Sequence, residues 1–249
     1  MFDPQLLEGD TVLITGASAG IGRETARLAA SAGADVALAA RREDRLDDLA
    51  DELEREHDCT ALALPTDVRE SGAVADLVSA TVEELGTLDV VVANAALGVG
   101  SAVEELSDED YHLMMDVNTD GMFFTAREAL PHLRESAGHL VFVGSFAAEY
   151  PRPGNPVYAA SKAWARSFAH SLEAQVGEDD IAISVVNPSE VRTEFGHQAD
   201  RGPAKDRLEP GEATEPEAVA EAIIFAASRD SPDTASEIDL YRRNKFSHF

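Results

Sequence analysis

Tyr158 and Lys162 have side chains that can transfer a proton, and they lie four residues apart in the sequence. Residues four apart are neighbours on a helix surface, and a nearby ammonium group lowers the pKa of a phenol from its usual value of about 10. A phenol with a lowered pKa can serve as a general acid or base at neutral pH. The stretch from Val157 to Phe168 is otherwise largely small and apolar, which favours a buried helix where a lysine needs a partner or a function. Tyr/Lys pairs are also common on solvated faces, so this pair alone does not define a site.

Ser145 follows an apolar run at residues 139–143 that is typical of a buried strand. A hydroxyl at the C-terminal end of a strand in an open α/β sheet faces the crevice where ligands bind. The surrounding sequence Val-Gly-Ser-Phe-Ala lacks the Gly-x-Ser-x-Gly pattern, which argues against a serine hydrolase.

Three glycines, Gly16, Gly20 and Gly22, directly follow an apolar, β-branched run that ends at Thr15. Residues 23–32 then carry helical periodicity, so the order is strand, glycine-rich turn and helix. That order aims backbone N–H groups and a helix N-terminus at phosphate, and glycine lets the ligand approach closely. The sequence therefore predicts a site for a dinucleotide pyrophosphate. The alternative is an ordinary tight turn between a strand and a helix.

The end of the second predicted strand, at residues 35–40, bears on which dinucleotide would bind. An NAD site normally has an acidic residue there for the ribose 2′-hydroxyl, whereas this strand is followed by Arg41 and Arg42. A guanidinium group can pair with a 2′-phosphate through two hydrogen bonds. We therefore expect NADP, with NAD as the less favoured cofactor. Alternatively, both arginines are solvated charges at the start of a helix.

The chain resembles the short-chain dehydrogenase/reductases along nearly its whole length, through five motifs in the family's order and spacing. They are the Thr-Gly-x-x-x-Gly-x-Gly fingerprint at Thr15–Gly22, the Asp67-Val68 pair, Asn118 in Asp116-Val-Asn-Thr, Ser145 with Tyr158-x-x-x-Lys162, and the segment Pro188–Thr193. Two of the family's motifs depart from the pattern. The family's Asn-Asn-Ala-Gly appears as Ala93-Asn94-Ala95-Ala96, and its Pro-Gly appears as Pro188-Ser189. Because Ala is strained where Gly has a positive φ, a local change of the turn at Ala96 is expected.

The resemblance implies a catalytic set of Asn118, Ser145, Tyr158 and Lys162. Tyr158 would exchange a proton with the substrate oxygen while hydride moves to or from nicotinamide, and Lys162 would lower the Tyr158 pKa and bind the nicotinamide ribose. Ser145 would hydrogen-bond the substrate oxygen, and Asn118 would hold a water that links Lys162 to solvent. The cofactor-binding residues that we predict are Gly16, Ser18, Gly20, Ile21, Gly22, Arg41, Arg42, Asp67, Val68, Asn94, Ala95, Tyr158, Lys162, Pro188, Val191 and Thr193.

Alternating strand and helix patterns run through the sequence. The strands predicted from apolar runs lie at about 10–15, 35–40, 59–64, 88–93, 139–144, 181–187 and 236–241. This alternation predicts an α/β protein: one Rossmann-type, doubly wound parallel sheet of about seven strands with helices on both faces. Residues 1–249 are expected to form a single domain. The polar, Pro- and Gly-containing stretch near 194–214 is expected to form a mobile substrate lid.

Composition excludes several classes of protein. Asp and Glu number 47 against 20 Lys and Arg, a net charge of −27, which makes nucleic acid or an anionic membrane an improbable partner. The seven His residues do not cluster at metal-ligand spacings, so no metal site is expected. A lone Cys59 and the absence of a signal-like or membrane-spanning apolar run predict a cytoplasmic protein. The acidity fits a merely soluble acidic domain or, as the sharper hypothesis, a halophilic protein from a salt-rich cytoplasm.

The function predicted is an oxidoreductase that transfers hydride between NADP and a small carbonyl compound or secondary alcohol. A weak likeness near Glu215–Ile223 and Ser236–Ile238 favours the branch of the family that acts on 3-hydroxy acids and assorted small carbonyls. Arg152, Arg192 and Arg201 are candidates for binding a substrate carboxylate, or are surface charges. The alternative is a non-catalytic NADP-binding sensor or scaffold, which would not need all four catalytic groups. A reductase for carrier-bound substrates is disfavoured because the chain lacks the Asp-Gly-Gly ending of many family members.

A homodimer or homotetramer is also expected. The segment from Asn118 to Leu133 and the helix that carries Tyr158 are apolar on more than one face. One sheet cannot cover both sides of such helices, and in the family these two helices form the subunit interfaces.

Overall fold

The computed structural model describes residues 5–196, 202–229 and 231–246. Seven strands form one sheet in the order β3-β2-β1-β4-β5-β6-β7, and every neighbouring pair is parallel. The strands are β1 Thr11–Thr15, β2 Asp35–Ala40, β3 Ala61–Pro65, β4 Val90–Ala93, β5 His139–Val143, β6 Ala182–Pro188 and β7 Glu237–Leu240. The predicted fold class is confirmed. The predicted strands match these bounds to within two residues, because each is a short apolar run with polar or glycine-rich flanks.

Helices connect the strands and cover both faces of the sheet. They are α1 Gly20–Ser31, α2 Glu43–Glu56, α3 Ser71–Leu85, α4 Asp108–Met115, α5 Gly121–Ser136, α6 Pro156–Val176, α7 Ala204–Arg207 and α8 Pro216–Ala227. Residues of α1, α2 and α8 pack on one face of the sheet, and residues of α3, α5 and α6 pack on the other. Strands β1, β4 and β5 are fully buried, as expected of parallel strands between two helical layers.

The direction of chain progression across the sheet reverses between β1 and β4, which are adjacent. After β1 the chain moves outward to β2 and β3, and it then returns to the other side of β1 through β4. The crevice at the carboxyl ends of the strands at such a reversal is where open α/β sheets bind ligands. The glycine-rich turn follows β1 and Ser145 follows β5, so both predicted motifs lie at this edge.

The segment between α4 and α5 departs from regular α-helix. Asp116–Asp120 forms a single π-helical turn that contains Asn118. Turns of this kind inside helices are rare and often occur at functional sites. The periodicity of the sequence gives no sign of it, since one extra residue in a turn barely changes the apolar pattern.

Candidate active site

In the glycine-rich turn, the backbone approaches neighbouring parts of the chain closely. Gly16 and Gly20 have positive φ values of 70° and 56°, a region that glycine adopts without strain. A Cβ on Gly22 would overlap the carbonyl oxygen of Gly16, and a Cβ on Gly20 would lie 3.0 Å from Cγ2 of Thr193. These close approaches fix the turn between β1 and α1 and leave no room for larger residues.

The N-terminus of α1 fits the phosphate groups of a dinucleotide. Its N-cap residue, Ala19, offers no side-chain acceptor, and the first turn of α1, all of it described, contains no acidic residue. The first amide groups of a helix lack intrahelical acceptors, and their partial positive charge favours an anion. The turn and the helix together therefore fit a pyrophosphate, with Gly16, Gly20, Ile21 and Gly22 around it.

Arg42, rather than Arg41, contacts the glycine-rich turn. Its Nε and Nη2 atoms donate to Ser18 Oγ at 3.2 and 2.8 Å, and its Nη1 atom donates to Glu194 at 3.2 Å. Arg41 is exposed and lies close enough to Asp67 to help lower the pKa of that carboxyl. The main cause of that lowering is a bidentate hydrogen bond from Arg69 to Asp67. The two arginines thus have different surroundings, which the sequence does not distinguish.

Asn94 and Ala95 close the gap between β4 and the turn after β1. Asn94 Nδ2 donates to the carbonyl oxygen of Thr15 at 2.8 Å, and the backbone N–H groups of Asn94 and Ala95 donate to Thr15 Oγ1 at 3.0 and 3.1 Å. Among the described residues other than glycine, only Ala137 and Asp180 have a positive φ. The turn therefore accommodates Ala96 without left-handed backbone at that residue, and the expected local difference from the family's turn stays a prediction.

The remaining predicted cofactor residues border the same crevice. Val68 packs at the start of α5, where a Cβ on Gly121 would lie 2.8 Å from it. Pro188 ends β6, and Val191 pairs with Thr214 in a parallel bridge. Thr193 is buried against Gly20 and accepts a hydrogen bond from the backbone of Phe195 at 3.1 Å. Their assignment to the cofactor stays a prediction.

Tyr158, Ser145 and Lys162 meet between the end of β5 and the start of α6. The Ser145 hydroxyl lies close enough to the Tyr158 phenol to lower its pKa, and Ser145 Oγ accepts a hydrogen bond from the backbone N–H of Ala147 at 3.1 Å. Lys162 is 2 % exposed, and its Nζ atom donates to the carbonyl oxygen of Val143 at 2.8 Å. The structure therefore brings together a phenol, a hydroxyl and a buried amine within two turns of one helix and the end of one strand.

The expected lowering of the Tyr158 pKa is wrong for this arrangement. Burial raises the pKa of Tyr158 above its usual value, and the nearby Ser145 hydroxyl offsets this only in part. Burial also lowers the pKa of Lys162 to about 7, so the amine loses part of its charge near neutral pH. Helical spacing predicted that the two side chains are neighbours, but it could not show that loss of water around both groups outweighs their attraction.

Asn118 is completely buried and connects two sides of the crevice. Its Nδ2 atom donates to the carbonyl oxygen of Leu97 at 2.8 Å and to Ser161 Oγ at 3.0 Å, and its Oδ1 atom accepts from the backbone N–H of Leu97 at 2.9 Å. Asn118 thereby ties the loop after β4 to α6, close to Lys162. The predicted water between Asn118 and Lys162 stays a prediction.

Asn187 was missed by the sequence analysis. Its Oδ1 atom accepts from the backbone N–H of Ser145 at 3.2 Å, and its Nδ2 atom donates to Glu237 at 2.6 Å and to Asp239 at 3.1 Å. Glu237 in turn receives two hydrogen bonds from Arg166. This network links the backbone of Ser145 to β7 and to α6. Its hydrogen-bonded partners are up to 71 residues apart in the chain, so no local pattern could predict it.

Phe195 and Gly98 were also missed. The Phe195 ring lies 5.5 Å from the Tyr158 ring, centroid to centroid. A Cβ on Gly98 would lie 3.0 Å from the Phe195 ring and 3.2 Å from the Tyr158 ring. These two residues restrict access to the phenol and are candidates for the wall of a substrate pocket.

The predicted lid at 194–214 is described except for residues 197–201. Within it, the backbone N–H of Lys205 donates to the carbonyl oxygen of Thr193 at 3.0 Å, and α7 follows. Of the three arginines considered for a substrate carboxylate, Arg192 is paired with Glu215 at 3.0 Å and Arg152 lies over the Phe146 ring. Arg201 lies outside the described residues. Motion of the lid stays a prediction.

The described part of the chain contains neither a helix able to span a membrane nor a cluster able to hold a metal ion. Within residues 5–196, 202–229 and 231–246, no helix has the length and apolar character needed to cross a membrane. In the same ranges, no group of three or more His, Cys, Asp or Glu side chains is arranged to hold a metal ion.

The fold and the glycine-rich turn together define a dinucleotide-binding protein of the Rossmann type. The family model described as short chain dehydrogenase matches residues 10–204. The chain belongs to the short-chain dehydrogenase/reductase family of oxidoreductases.

Individual relatives agree with this assignment. The chain is 33% identical to an NADP-dependent 3-hydroxy acid dehydrogenase of Schizosaccharomyces pombe over 229 residues, which cover 90% of this chain and 88% of that protein. An alcohol dehydrogenase of the archaeon Thermococcus sibiricus, in complex with 5-hydroxy-NADP, superposes with a TM-score of 0.86 at 31% identity and covers 93% of this chain and 96% of that one. A 3-ketoacyl-(acyl-carrier-protein) reductase of Brucella melitensis, in complex with NADH, has a TM-score of 0.84 at 28% identity, with 94% and 97% covered.

Proposed function

We propose that the protein is an NADP-dependent oxidoreductase that interconverts a small carbonyl compound and a secondary alcohol. The observation that carries this proposal is the placement of the Ser145 hydroxyl and of buried Lys162 next to Tyr158, at the strand edge that also holds the glycine-rich turn. A protein that only bound the dinucleotide would have no need to bury an amine beside a half-buried phenol, since both groups lose hydration there. The sensor or scaffold alternative is therefore disfavoured.

The side chains support a proton-transfer mechanism. When bound, the nicotinamide ring would supply or accept the hydride. The raised pKa of Tyr158 keeps the phenol protonated at neutral pH, so it can donate a proton to a carbonyl oxygen as the substrate is reduced. Ser145 Oγ would hydrogen-bond the same oxygen, and Lys162 would bind the nicotinamide ribose and, when protonated, stabilise the phenolate that proton donation leaves behind.

NADP is favoured over NAD by the residues that would lie next to the adenosine ribose. Strand β2 ends at Ala40 without a carboxylate for a 2′-hydroxyl, and Arg42 lies on Ser18 of the glycine-rich turn. A guanidinium group beside a hydroxyl suits a phosphate. The name of the Schizosaccharomyces pombe relative, NADP-dependent, agrees with this choice, whereas NADH in the Brucella melitensis structure shows that this fold also accepts NAD.

A 3-hydroxy acid, or the matching 3-keto acid, is our candidate substrate. The support is the activity named for the Schizosaccharomyces pombe relative and the narrow approach to Tyr158 between Phe195 and Gly98. Arg192 is already paired with Glu215, so a substrate carboxylate would need another cation. We further propose that the enzyme works in the cytoplasm as a homodimer or homotetramer.

The test is a screen for NADPH oxidation over ketones, aldehydes and 3-keto acids in molar salt. Tyr158→Phe, which removes only the hydroxyl, serves as the matched control. Turnover of at least one carbonyl compound by the wild type and its loss in the variant would support the proposal. If the wild type binds NADPH tightly yet turns over no carbonyl compound in the screen and no alcohol with NADP⁺, the sensor alternative would be correct.

A further inference from the structure

Glu194 lies among three cationic side chains at the rim of the crevice. Its Oε2 atom accepts hydrogen bonds from Arg42 at 3.2 Å and from Arg45 at 2.8 Å. Its Oε1 atom accepts one from Lys205 of α7 at 3.0 Å. The cations come from three places in the chain, namely the end of β2, helix α2 and the predicted lid, and they converge on one carboxylate.

Arg42 belongs both to this cluster and to the glycine-rich turn. Its guanidinium group donates to Ser18 Oγ through Nε and Nη2, while Nη1 reaches Glu194. Ser18 is buried and Glu194 is partly exposed, with about a third of its side chain accessible. The carboxylate of Glu194 is therefore bound to the arginine that we assign to the 2′-phosphate of NADP.

We propose that Glu194 is a specificity-determining residue that occupies the cationic site of the 2′-phosphate group and competes with that group for Arg42 and Arg45. This inference rests on the proposed use of NADP. A phosphate monoester carries nearly two negative charges at neutral pH and has three acceptor oxygens, against one charge and two oxygens for a carboxylate. It therefore displaces Glu194, whereas the neutral 2′-hydroxyl of NAD does not.

Displacement of Glu194 costs free energy when NADP binds, but NAD binds without displacing it. Breaking the contacts of Glu194 loses three partly exposed ion pairs, each of which stabilises the protein only weakly. Removing the Glu194 charge should therefore tighten the binding of NADPH and leave NADH nearly unchanged. The side chains involved are more than a third exposed on the cation side, so the difference should shrink in molar salt.

The experiment compares dissociation constants of NADPH and NADH, by titration calorimetry in low salt, for the wild type, Glu194→Gln and Glu209→Gln. Glu209 is an exposed carboxylate in the same predicted lid, so its variant has the same net charge as Glu194→Gln. We expect Glu194→Gln to tighten NADPH binding about 3- to 10-fold and to change NADH binding less than twofold, the size expected for a few exposed ion pairs. Glu209→Gln should change neither by more than about twofold.

An unchanged ratio of the two affinities in Glu194→Gln, or weaker binding of NADPH, would overturn the inference. A loss of NADH affinity alone would also overturn it, because it would mean that Glu194 contacts the 2′-hydroxyl. The proposed preference for NADP can be refuted independently of the competition by Glu194. If the wild type bound only NADH and Glu194→Gln gained NADPH, the competition would be correct and the preference for NADP wrong. Binding of neither dinucleotide by any of the proteins would refute both.

Discussion

Lys162 donates a hydrogen bond of 2.8 Å from Nζ to the carbonyl oxygen of Val143, the last residue of β5. This contact joins the middle of a buried helix to the strand end that presents Ser145. It satisfies one N–H group of the amine, but it provides no opposite charge. Burial therefore dominates and lowers the pKa of Lys162 from 10.5 to about 7.

We predict that Lys162→Met stabilises the fold at neutral pH. Because the Lys162 pKa is lowered by folding, the unfolded chain binds this proton more tightly than the folded protein does. The free energy of unfolding is therefore highest above about pH 10.5 and falls as the pH drops toward 7. Replacing the amine should raise the free energy of unfolding at pH 7 by about 2–4 kcal/mol and flatten its dependence on pH between 7 and 10. Denaturant unfolding at pH 7, 8.5 and 10 measures both effects.

Lys205→Met is the matched control for that prediction. Lys205 is well exposed, so its loss should change stability by less than about 1 kcal/mol and leave the pH dependence unchanged. Equal or lower stability of Lys162→Met at pH 7 would show that the contact with Val143 outweighs the cost of burial.

Arg42 should determine the cofactor preference to a greater extent than Arg41. Arg42 contacts Ser18, whereas Arg41 is exposed near Asp67. We expect Arg42→Ala to weaken NADPH binding by about 1.5–3 kcal/mol, the range for a hydrogen bond to a charged group, and NADH binding much less. Arg41→Ala, titrated in parallel, should have the smaller effect on NADPH. A larger selective loss with Arg41→Ala would move the phosphate contact to Arg41.

An aromatic patch on α5 and α6 should form a subunit interface. The patch consists of Phe123, Phe124, Trp164 and Phe168, in which Trp164 stacks on Phe168 at 4.9 Å. Phe123 and Trp164 are 39% and 37% exposed, which is unusual for large apolar side chains that lie side by side. We expect a dimer or tetramer by light scattering in molar salt, and a smaller mass for the double variant Phe123→Glu, Trp164→Glu.

The control for the interface is Val103→Glu, an exposed apolar residue outside the patch. It should leave the oligomer intact. A wild-type mass equal to one chain of 26.6 kDa would refute the interface and the homo-oligomer.

Salt should stabilise the protein. The protein has a net charge of −27, and its negatively charged side chains repel one another at low ionic strength. Added salt screens this repulsion. Salt also weakens the exposed part of the attraction between arginine and phosphate, but the first effect sums over many more charges. We predict that the melting temperature rises steeply from about 0.1 M toward molar KCl and that NADPH affinity does not fall. A flat or falling melting temperature would leave an ordinary acidic reductase in place of a halophilic protein.

The sequence predicted the parts of the molecule that depend on local pattern. Short apolar runs such as Thr11–Thr15 and His139–Val143 marked buried strands, and the glycines after Thr15 marked a turn that larger residues cannot adopt. The i, i+4 spacing placed Tyr158 and Lys162 on one helix. In each case the information lies within a few neighbouring residues.

Contacts between distant segments were not predictable in this way. Glu194 and Arg42 are 152 residues apart, and Asn187 and Ser145 are 42 apart. The direction of the Tyr158 pKa depends on how much water the folded chain removes from the phenol, which no spacing encodes. The difference between Arg41 and Arg42 likewise arises only from the direction in which each side chain leaves the end of β2.

The role of Tyr158 is tested most directly by measuring NADPH binding and NADPH oxidation together in Tyr158→Phe. The substrate is whichever carbonyl compound the wild type reduces. Because the change removes only the hydroxyl that carries the transferable proton, the account predicts that turnover falls by about 10²–10⁴-fold, while the dissociation constant for NADPH stays within about threefold of the wild-type value. Turnover in the variant close to that of the wild type, with NADPH binding intact, would contradict the assignment of Tyr158 as the proton donor.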